Sequence, residues 1–192
     1  MLARPVVVFV AFAASGSGAA LLGHQAYMKV KAVVAERLIR RAWSAHLADG
    51  HEHRPWRWAD VTPVARVTVP RLGVDRVVLS GATGQALAFG LGHVGGTTRP
   101  GAPGHVVIAG HRDTWASFLR ELQPGDEVRV ATRTGTRRWT VVARRVVAQD
   151  DTAVLDPVMG DRLSLMTCYP FDGVRRSPWR YVVTCEPGGP WN

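Results

Sequence analysis

The sequence predicts an all-β domain of the barrel or sandwich type, preceded by a helical N-terminal segment. From Val61 onward, short runs rich in β-branched and aromatic residues alternate with Gly, Pro, Asp and Asn, which is the pattern of strands separated by turns. Many short strands at similar spacing are typical of barrels and sandwiches. With 192 residues, of which 46% are hydrophobic, the chain is large enough for one buried core and an appendage.

The first element is an apolar stretch at the N-terminus. No residue from position 5 to position 23 is charged, and roughly 17 to 20 such residues span a bilayer. We therefore expect residues 1–23 to form a single-pass signal anchor, with a cleaved secretory signal as the alternative. The basic residues that follow, Lys29, Lys31 and Arg37 among them, would favour the cytoplasmic side for the rest of the chain. We therefore expect the domain to lie on the extracytoplasmic side only if its function requires that location.

Residues 24–60 are predicted to form a helical stalk and a linker. Apolar residues at helical spacing continue to Ile39, whereas Pro55, Trp56 and Trp58 interrupt the pattern. We expect the two tryptophans to pack on the domain or to lie at a membrane interface. No metal is predicted for the histidines of this region, because no Cys, Asp or Glu pattern completes a set of four ligands. These histidines are His46, His51 and His53.

The domain after the linker is predicted to span residues 61–192, with seven recognisable strands and two short helices. The strands are expected at Val64–Val69, Val74–Leu79, Val106–Ala109, Glu127–Ala131, Trp139–Ala148, Arg162–Thr167 and Arg180–Thr184. The helices are expected at Gln85–Phe89 and Thr114–Leu122, the second with Asp113 or Thr114 as its N-cap.

The formal net charge of +9 does not predict nucleic-acid binding. A basic chain can bind anionic partners, but the arginines are spread along the whole sequence and the only lysines are Lys29 and Lys31. There is no basic helix or stripe with interleaved aromatic residues of the kind that follows a phosphate backbone. We interpret the charge as a solvated, arginine-rich surface and expect no nucleic-acid partner.

Three strand ends carry groups that could take part in catalysis. His111 follows an apolar strand, Cys168 closes another, and Arg180 begins a third. A cysteine and a histidine far apart in sequence are a candidate nucleophile and base, and three strand ends can converge on one rim of a barrel. The residues alone leave a structural alternative open, in which Cys168 is a small core residue and the other two have structural roles.

The two cysteines are not expected to form a disulfide. If the runs that end at Cys168 and Cys185 pair as a hairpin, Cys168 lies opposite the start of the second strand. Cys185 then lies on the order of 15 Å away at about 3.3 Å per residue. Disulfides need Cα atoms within about 7 Å of each other.

Two of these segments resemble the signature motifs of the sortase family of cysteine transpeptidases. Ala109–Asp113 is similar to the sortase histidine motif, and Ser164–Cys168 is similar to the cysteine motif, with Ser where the family usually has Thr. Gly90–Thr97 matches the run before the histidine strand, and Ser177–Val183 resembles class D and Gram-negative-type sortases. The resemblance covers roughly residues 64–186.

The resemblance implies an eight-stranded sortase barrel and a thiol mechanism that needs no metal or other cofactor. Cys168 would be the nucleophile, His111 its acid/base partner and Arg180 the positive group beside them, with Arg175 and Arg176 as competitors for the last role. The implied substrates are proteins with an LPxTG-like C-terminal sorting signal, cleaved between Thr and Gly through a thioacyl-enzyme. An amine would then accept the acyl group. The resemblance also implies a periplasmic domain anchored in an inner membrane.

Four further residues are implied to contact the substrate. Thr167 precedes the cysteine, and His93 resembles a recurrent family position near the active site. His93 is also a weaker candidate for the base. Val154 and Leu155 lie in Asp150–Pro157, which resembles a family loop that contacts the Leu-Pro part of the signal.

Two other functions remain open on the sequence. In a cysteine peptidase, water instead of an amine would resolve the acyl-enzyme, so an added amine would give no amide product. In an inactive peptide-binding module, the substitution Cys168→Ala would leave the protein's behaviour unchanged.

Overall fold

The computed structural model describes residues 23, 24, 27, 30–157, 160–172 and 177–189. The chain divides into two compact units, Met1–Arg37 and Leu38–Asn192. In the first unit the described residues are helical. Helix α1, residues 30–49, ends within the second unit. The predicted anchor lies outside the described residues apart from Gly23. None of the helices in the described part of the chain is long and apolar enough to cross a membrane.

Eight strands form a closed barrel in the second unit, which confirms the predicted architecture. In chain order they are β1 Pro63–Val69, β2 Val74–Leu79, β3 Leu91–His93, β4 His105–Ala109, β5 Glu127–Thr132, β6 Gly135–Ala148, β7 Arg162–Tyr169 and β8 Trp179–Pro187. Around the barrel the order is β1-β2-β3-β4-β7-β8-β6-β5. The only regular α-helix described within the domain's strand region is α2, Gly84–Phe89.

The central feature of the topology is the run β4-β7-β8. Strands β4 and β7 are parallel, so both deliver their C-terminal ends to the same rim of the barrel. Strand β8 pairs antiparallel to β7 and therefore begins at that rim. The end of β4, which is distant in sequence, thus meets the end of β7 and the start of β8 at one edge of the barrel.

The barrel interior is filled by apolar side chains that alternate along the strands. On β7, Leu163, Leu165 and Thr167 are all at most 2% exposed, whereas Met166 and Cys168 on the other face are partly exposed. Burying one such leucine stabilises the fold by about 1.5–3 kcal/mol. The core is extended by Phe118 and other residues from a 3-10 segment, Ser117–Glu121.

A second apolar cluster lies around α1 and the segment that follows it. Ile39 and Trp43 of α1 are buried together with Val61 and Val77. Trp56 packs edge-on against Phe89, with ring centroids 4.9 Å apart. The packing of Trp56 agrees with the expectation for the two linker tryptophans, whereas Trp58 is 79% exposed and does not pack on the domain. The packing of Trp56 also explains why the second compact unit begins before position 61.

Two local predictions differ from the structure. Strand β3 was not predicted, because three residues including a glycine are too short to show a strand pattern. The predicted helix Thr114–Leu122 is instead a turn followed by the 3-10 segment, whose N-cap is Ala116, without a side-chain cap. The prediction of Asp113 or Thr114 as N-cap was therefore wrong. Backbone N–H groups of Thr114 and Ala116 both bond to the carbonyl of His111, which forms a tight turn there.

The first prediction concerns the barrel core. Val183 on β8 is 0% exposed, whereas Val146 on β6 is 44% exposed. Because Val183→Ala removes two buried methyl groups and leaves a cavity, we expect the free energy of unfolding to fall by about 2–3 kcal/mol. The matched change Val146→Ala should cost no more than about 0.5 kcal/mol. Chemical denaturation measures both, and equal losses would contradict the assignment of inward and outward faces.

Candidate active site

One cavity at the rim of the barrel contains all three predicted catalytic residues. Cys168, His111 and Arg180 line a cavity of about 360 Å³. The other lining residues are Arg112, Asp113, Gln149 and Ser177. Cys168 is partly exposed, so its sulfur is accessible to a ligand in this space.

Strand register explains why these three residues meet. Ala109 on β4 is paired with Met166 on β7, and the N–H of Gly110 donates to the Met166 carbonyl at 3.1 Å. His111 and Cys168 each lie two residues beyond that pair. On the other side of β7, Cys168 is directly opposite Arg180 of β8. The thiol therefore lies on the strand between the two that carry the imidazole and the guanidinium.

The two cysteines have different environments and do not form a disulfide. Both are free thiols, and Cys185 is paired with Leu163, five residues before Cys168 on β7. Cys185 is fully buried, and this burial raises the pKa of its thiol to about 12. The prediction that no bridge forms is confirmed. Of the two thiols, only Cys168 lines the cavity.

The Arg180 guanidinium is held by neutral acceptors. Its Nη1 donates to the carbonyls of Ser177 and Trp179 at 3.4 and 3.0 Å, and its Nη2 donates to the side-chain oxygen of Gln149 at 3.2 Å. No ion pair joins Arg180 to a carboxylate of any residue that the structure describes. The two competing candidates, Arg175 and Arg176, lie outside the described residues.

Arg112 ties the segment after His111 to the segment after Cys168. Its side chain is only 11% exposed, and its Nη1 donates to the Pro170 carbonyl at 2.8 Å. Sequence reasoning missed both Arg112 and Gln149. Adjacency to His111 could have pointed to Arg112, but nothing in the sequence pattern marks Gln149.

Thr167 is buried inside the barrel and does not line the cavity. Its hydroxyl donates to the Gly110 carbonyl at 2.7 Å, which fastens the end of β4 to β7 next to His111 and Cys168. Gly110 has to be a glycine, because a Cβ there would lie 2.7 Å from a Leu91 methyl group and 2.8 Å from the Ala116 methyl group. The predicted contact of Thr167 with substrate stays a prediction, whereas its structural role is to fix this strand end.

The three other predicted substrate-binding residues also lie outside the cavity lining given above. His93 is half-buried on β3, where its Nε2 donates to the Thr98 carbonyl at 2.9 Å. Burial lowers the pKa of His93, and the nearby Arg99 adds to that effect. Val154 is buried and Leu155 is partly buried in a 3-10 turn, Thr152–Leu155. Their contact with a substrate stays a prediction.

A buried histidine anchors the segment that carries this 3-10 turn. His105 on β4 is 5% exposed, and its Nδ1 bonds to the Asp156 carbonyl at 2.8 Å. Because a carbonyl can only accept, Nδ1 donates this bond, and Nε2 shares a second hydrogen bond with the Ser164 hydroxyl, 2.8 Å away. Ser164 thus has a hydrogen-bonding role on the face of β7 that also presents Cys168.

Two of the histidines before the barrel bond to other groups through their rings. His53 pairs with Asp49 at 2.8 Å, and His46 bonds to the His51 carbonyl. Among the described residues, no group of three or more His, Cys, Asp or Glu side chains could hold a metal ion.

Comparison with known proteins identifies the family. A sequence model of the sortase domain matches residues 67–188. Sortase D of Bacillus subtilis is 31% identical over 116 residues, which cover 60% of this chain and 59% of that protein. The chain therefore belongs to the sortase family, and the class D-like affiliation agrees with this match.

Solved structures show the same architecture. Sortase A from Corynebacterium diphtheriae superposes with a TM-score of 0.62 at 26% identity, covering 69% of this chain and 63% of that one. The Clostridium perfringens sortase D5 transpeptidase gives a TM-score of 0.66 at 23% identity, covering 81% and 99%, and supports the fold alone. The chain thus spans less than two thirds of the length of the Bacillus and Corynebacterium relatives.

The second prediction tests how the end of β4 is held. Thr167→Val keeps the shape but leaves the Gly110 carbonyl without its buried partner, so we expect a loss of unfolding free energy of about 1–3 kcal/mol. Amide hydrogen exchange at Gly110, which bonds to Met166, should become faster. Thr167→Ser retains the hydroxyl and should keep the slow exchange. Equal exchange in the Val and Ser variants would contradict this role.

The third prediction concerns the pH dependence of stability. Because the folded state lowers the pKa of His93, it binds fewer protons than the unfolded state, whose histidine titrates near about 6.5. The contribution of neutral His93 to the free energy of unfolding is therefore fully present above the pKa of the unfolded state. It is lost as the pH falls below that pKa. His93→Gln should make the unfolding free energy less dependent on pH between about 7 and 5, as measured by denaturation at several pH values. An unchanged slope would contradict the assignment.

Proposed function

We propose that this protein is a cysteine transpeptidase in which Cys168 is the nucleophile, His111 the acid/base group and Arg180 the electrostatic stabiliser. The observation that supports this most strongly is the shared cavity, in which the three side chains come from three different strand ends. Family membership supports the same reaction class. A thiol, an imidazole and a guanidinium are together sufficient for acyl transfer without a metal.

The first half of the reaction forms a thioacyl-enzyme. The Cys168 thiolate attacks the carbonyl carbon of the scissile peptide bond, which makes the C–S bond and places negative charge on the oxygen. Arg180, opposite Cys168, can donate to that oxygen, and a single such donor is typically worth about 3 kcal/mol of barrier. His111 then protonates the leaving amine as the C–N bond breaks.

The second half transfers the acyl group. An amine enters the space left by the first product and loses a proton to His111 as it attacks the thioester carbon. The C–S bond breaks and returns the thiolate, while the new amide leaves the cavity. Arg180, directly opposite Cys168 on the neighbouring strand, places a positive charge beside the sulfur that leaves in this step.

The substrate and the location belong to the same proposal. We propose protein substrates with an LPxTG-like C-terminal signal, cleaved between Thr and Gly, and an amine acceptor. The uncharged residues 5–23 support an anchor in the inner membrane. The periplasmic side follows from the proposed substrates, since the basic residues after the span would by themselves favour the cytoplasmic side. In this topology the enzyme has access to exported proteins. The proposed reaction requires no cofactor.

The fourth prediction tests the nucleophile and the reaction class together. The full chain is incubated with an LPxTG-type peptide, with and without triglycine, and both protein and products are analysed by mass spectrometry. We expect an acyl adduct on Cys168 without amine and an amide product with triglycine. Cys168→Ala should abolish both, because the attacking sulfur is lost.

The matched control is Cys185→Ala, which removes the buried thiol and should retain the adduct on Cys168. Hydrolysed peptide without any amide product would favour the cysteine peptidase. Peptide binding that is the same in the wild type and in Cys168→Ala, with no adduct, would favour the inactive binding module and would overturn the proposal.

A further inference from the structure

We propose that Gln149 is a positioning residue that holds the Arg180 guanidinium beside Cys168 without neutralising its charge. Gln149 directly follows β6 and lines the same cavity as both residues. Its side-chain oxygen accepts a hydrogen bond from Nη2 of Arg180 at 3.2 Å. It is therefore in contact with the charged group and need not touch the reacting atoms.

The strand register fixes the side of the sheet on which Gln149 lies. Val147 of β6 is directly opposite Arg180 of β8, and side chains two residues apart on a strand share one face. The backbone N–H of Gln149 donates to the Pro178 carbonyl at 2.6 Å, which continues the pairing of the two strands beyond Ala148. Gln149 is thus a diagonal neighbour of Arg180, a position from which long side chains reach each other.

All the acceptors bonded to the Arg180 guanidinium in the described part of the chain are neutral. Two are the backbone carbonyls of Ser177 and Trp179, and the third is the amide of Gln149. Asp113 also lines the cavity, but its carboxylate pairs with Arg112 at 3.5 Å. A carboxylate bonded to Arg180 would hold it more strongly but would cancel much of its field at the sulfur.

A neutral amide at position 149 can therefore orient the Arg180 guanidinium without compensating its positive charge. If Gln149 were only a structural partner, glutamate would serve at least as well, because a charge-assisted hydrogen bond is stronger than a neutral one. The two possibilities thus predict different results for Gln149→Glu: lower reactivity of Cys168 if the uncompensated charge matters, and unchanged reactivity if Gln149 is only a structural partner. The inference rests on the proposed function only for the use of this charge in stabilising thiolate and oxyanion.

The fifth prediction uses a reaction that needs no peptide substrate. The rate at which iodoacetamide alkylates Cys168 in the full chain is measured against pH, with the site read by mass spectrometry. Buried Cys185, whose pKa is raised to about 12, should remain unlabelled. Below the midpoint of the profile, we expect Gln149→Glu to react about three- to tenfold more slowly than the wild type, because the added carboxylate offsets Arg180.

A second variant tests whether Gln149 acts through Arg180. Gln149→Met keeps the length of the side chain but removes the acceptor, and we expect alkylation to slow about two- to threefold. The same change in an Arg180→Met background should have no effect, because the group that Gln149 positions is absent. An equal effect in both backgrounds would overturn the proposal.

Gln123→Glu is the matched control, since Gln123 is exposed, lies outside the cavity and undergoes the same change of charge. It should react like the wild type. Wild-type alkylation rates in Gln149→Glu, with an unchanged thermal midpoint, would also overturn the proposal. Because alkylation requires no sorting signal, failure of peptide acylation would count against the proposed function alone.

Discussion

The pairing of β7 with β4 on one side and with β8 on the other is the constraint on which the candidate site depends. The parallel pair carries the ends of β4 and β7 to one rim, and the antiparallel pair begins β8 there. A shift of one residue in either pairing would turn a functional side chain to the opposite face of the sheet. The inward leucines of β7 oppose such a shift, because it would expose them to water.

Hydrogen bonds near both ends of β4 then fix the segments that the barrel brings together. Thr167 bonds to the Gly110 carbonyl, Arg112 bonds to the Pro170 carbonyl, and His105 connects Ser164 with the Asp156 carbonyl. In each case a side chain on one strand end or loop fastens the backbone of another. These contacts leave the thiol of Cys168 and the ring of His111 accessible while the surrounding backbone is held in place.

Much of the fold could be predicted from the sequence, because strands such as Val74–Leu79 combine β-branched residues with clear turn signals at their ends. The shortest strand, Leu91–His93, could not be predicted, since its existence depends on pairing with β2 and β4 rather than on its own pattern. The turn after β4 was predicted as a helix because its residues have helical spacing, but the His111 carbonyl takes the first backbone N–H groups into a tighter turn.

Some residues of the candidate site could likewise be predicted from the sequence, and others could not. Cys168, His111 and Arg180 could be found because each ends or begins a strand with a family-like motif, and the structure brings them to one cavity. Gln149 could not be found, because its significance arises from a partner 31 residues away on the neighbouring strand.

The most direct test of this arrangement is a crystal structure of the covalent adduct between Cys168 and a peptidyl chloromethyl ketone. The register of β4, β7 and β8 predicts the ketone oxygen at hydrogen-bonding distance, about 2.7–3.2 Å, from the Arg180 guanidinium. It also predicts the His111 ring on the opposite side of the sulfur. An adduct whose oxygen points into solvent, with both Arg180 and His111 turned away from it, would contradict the arrangement.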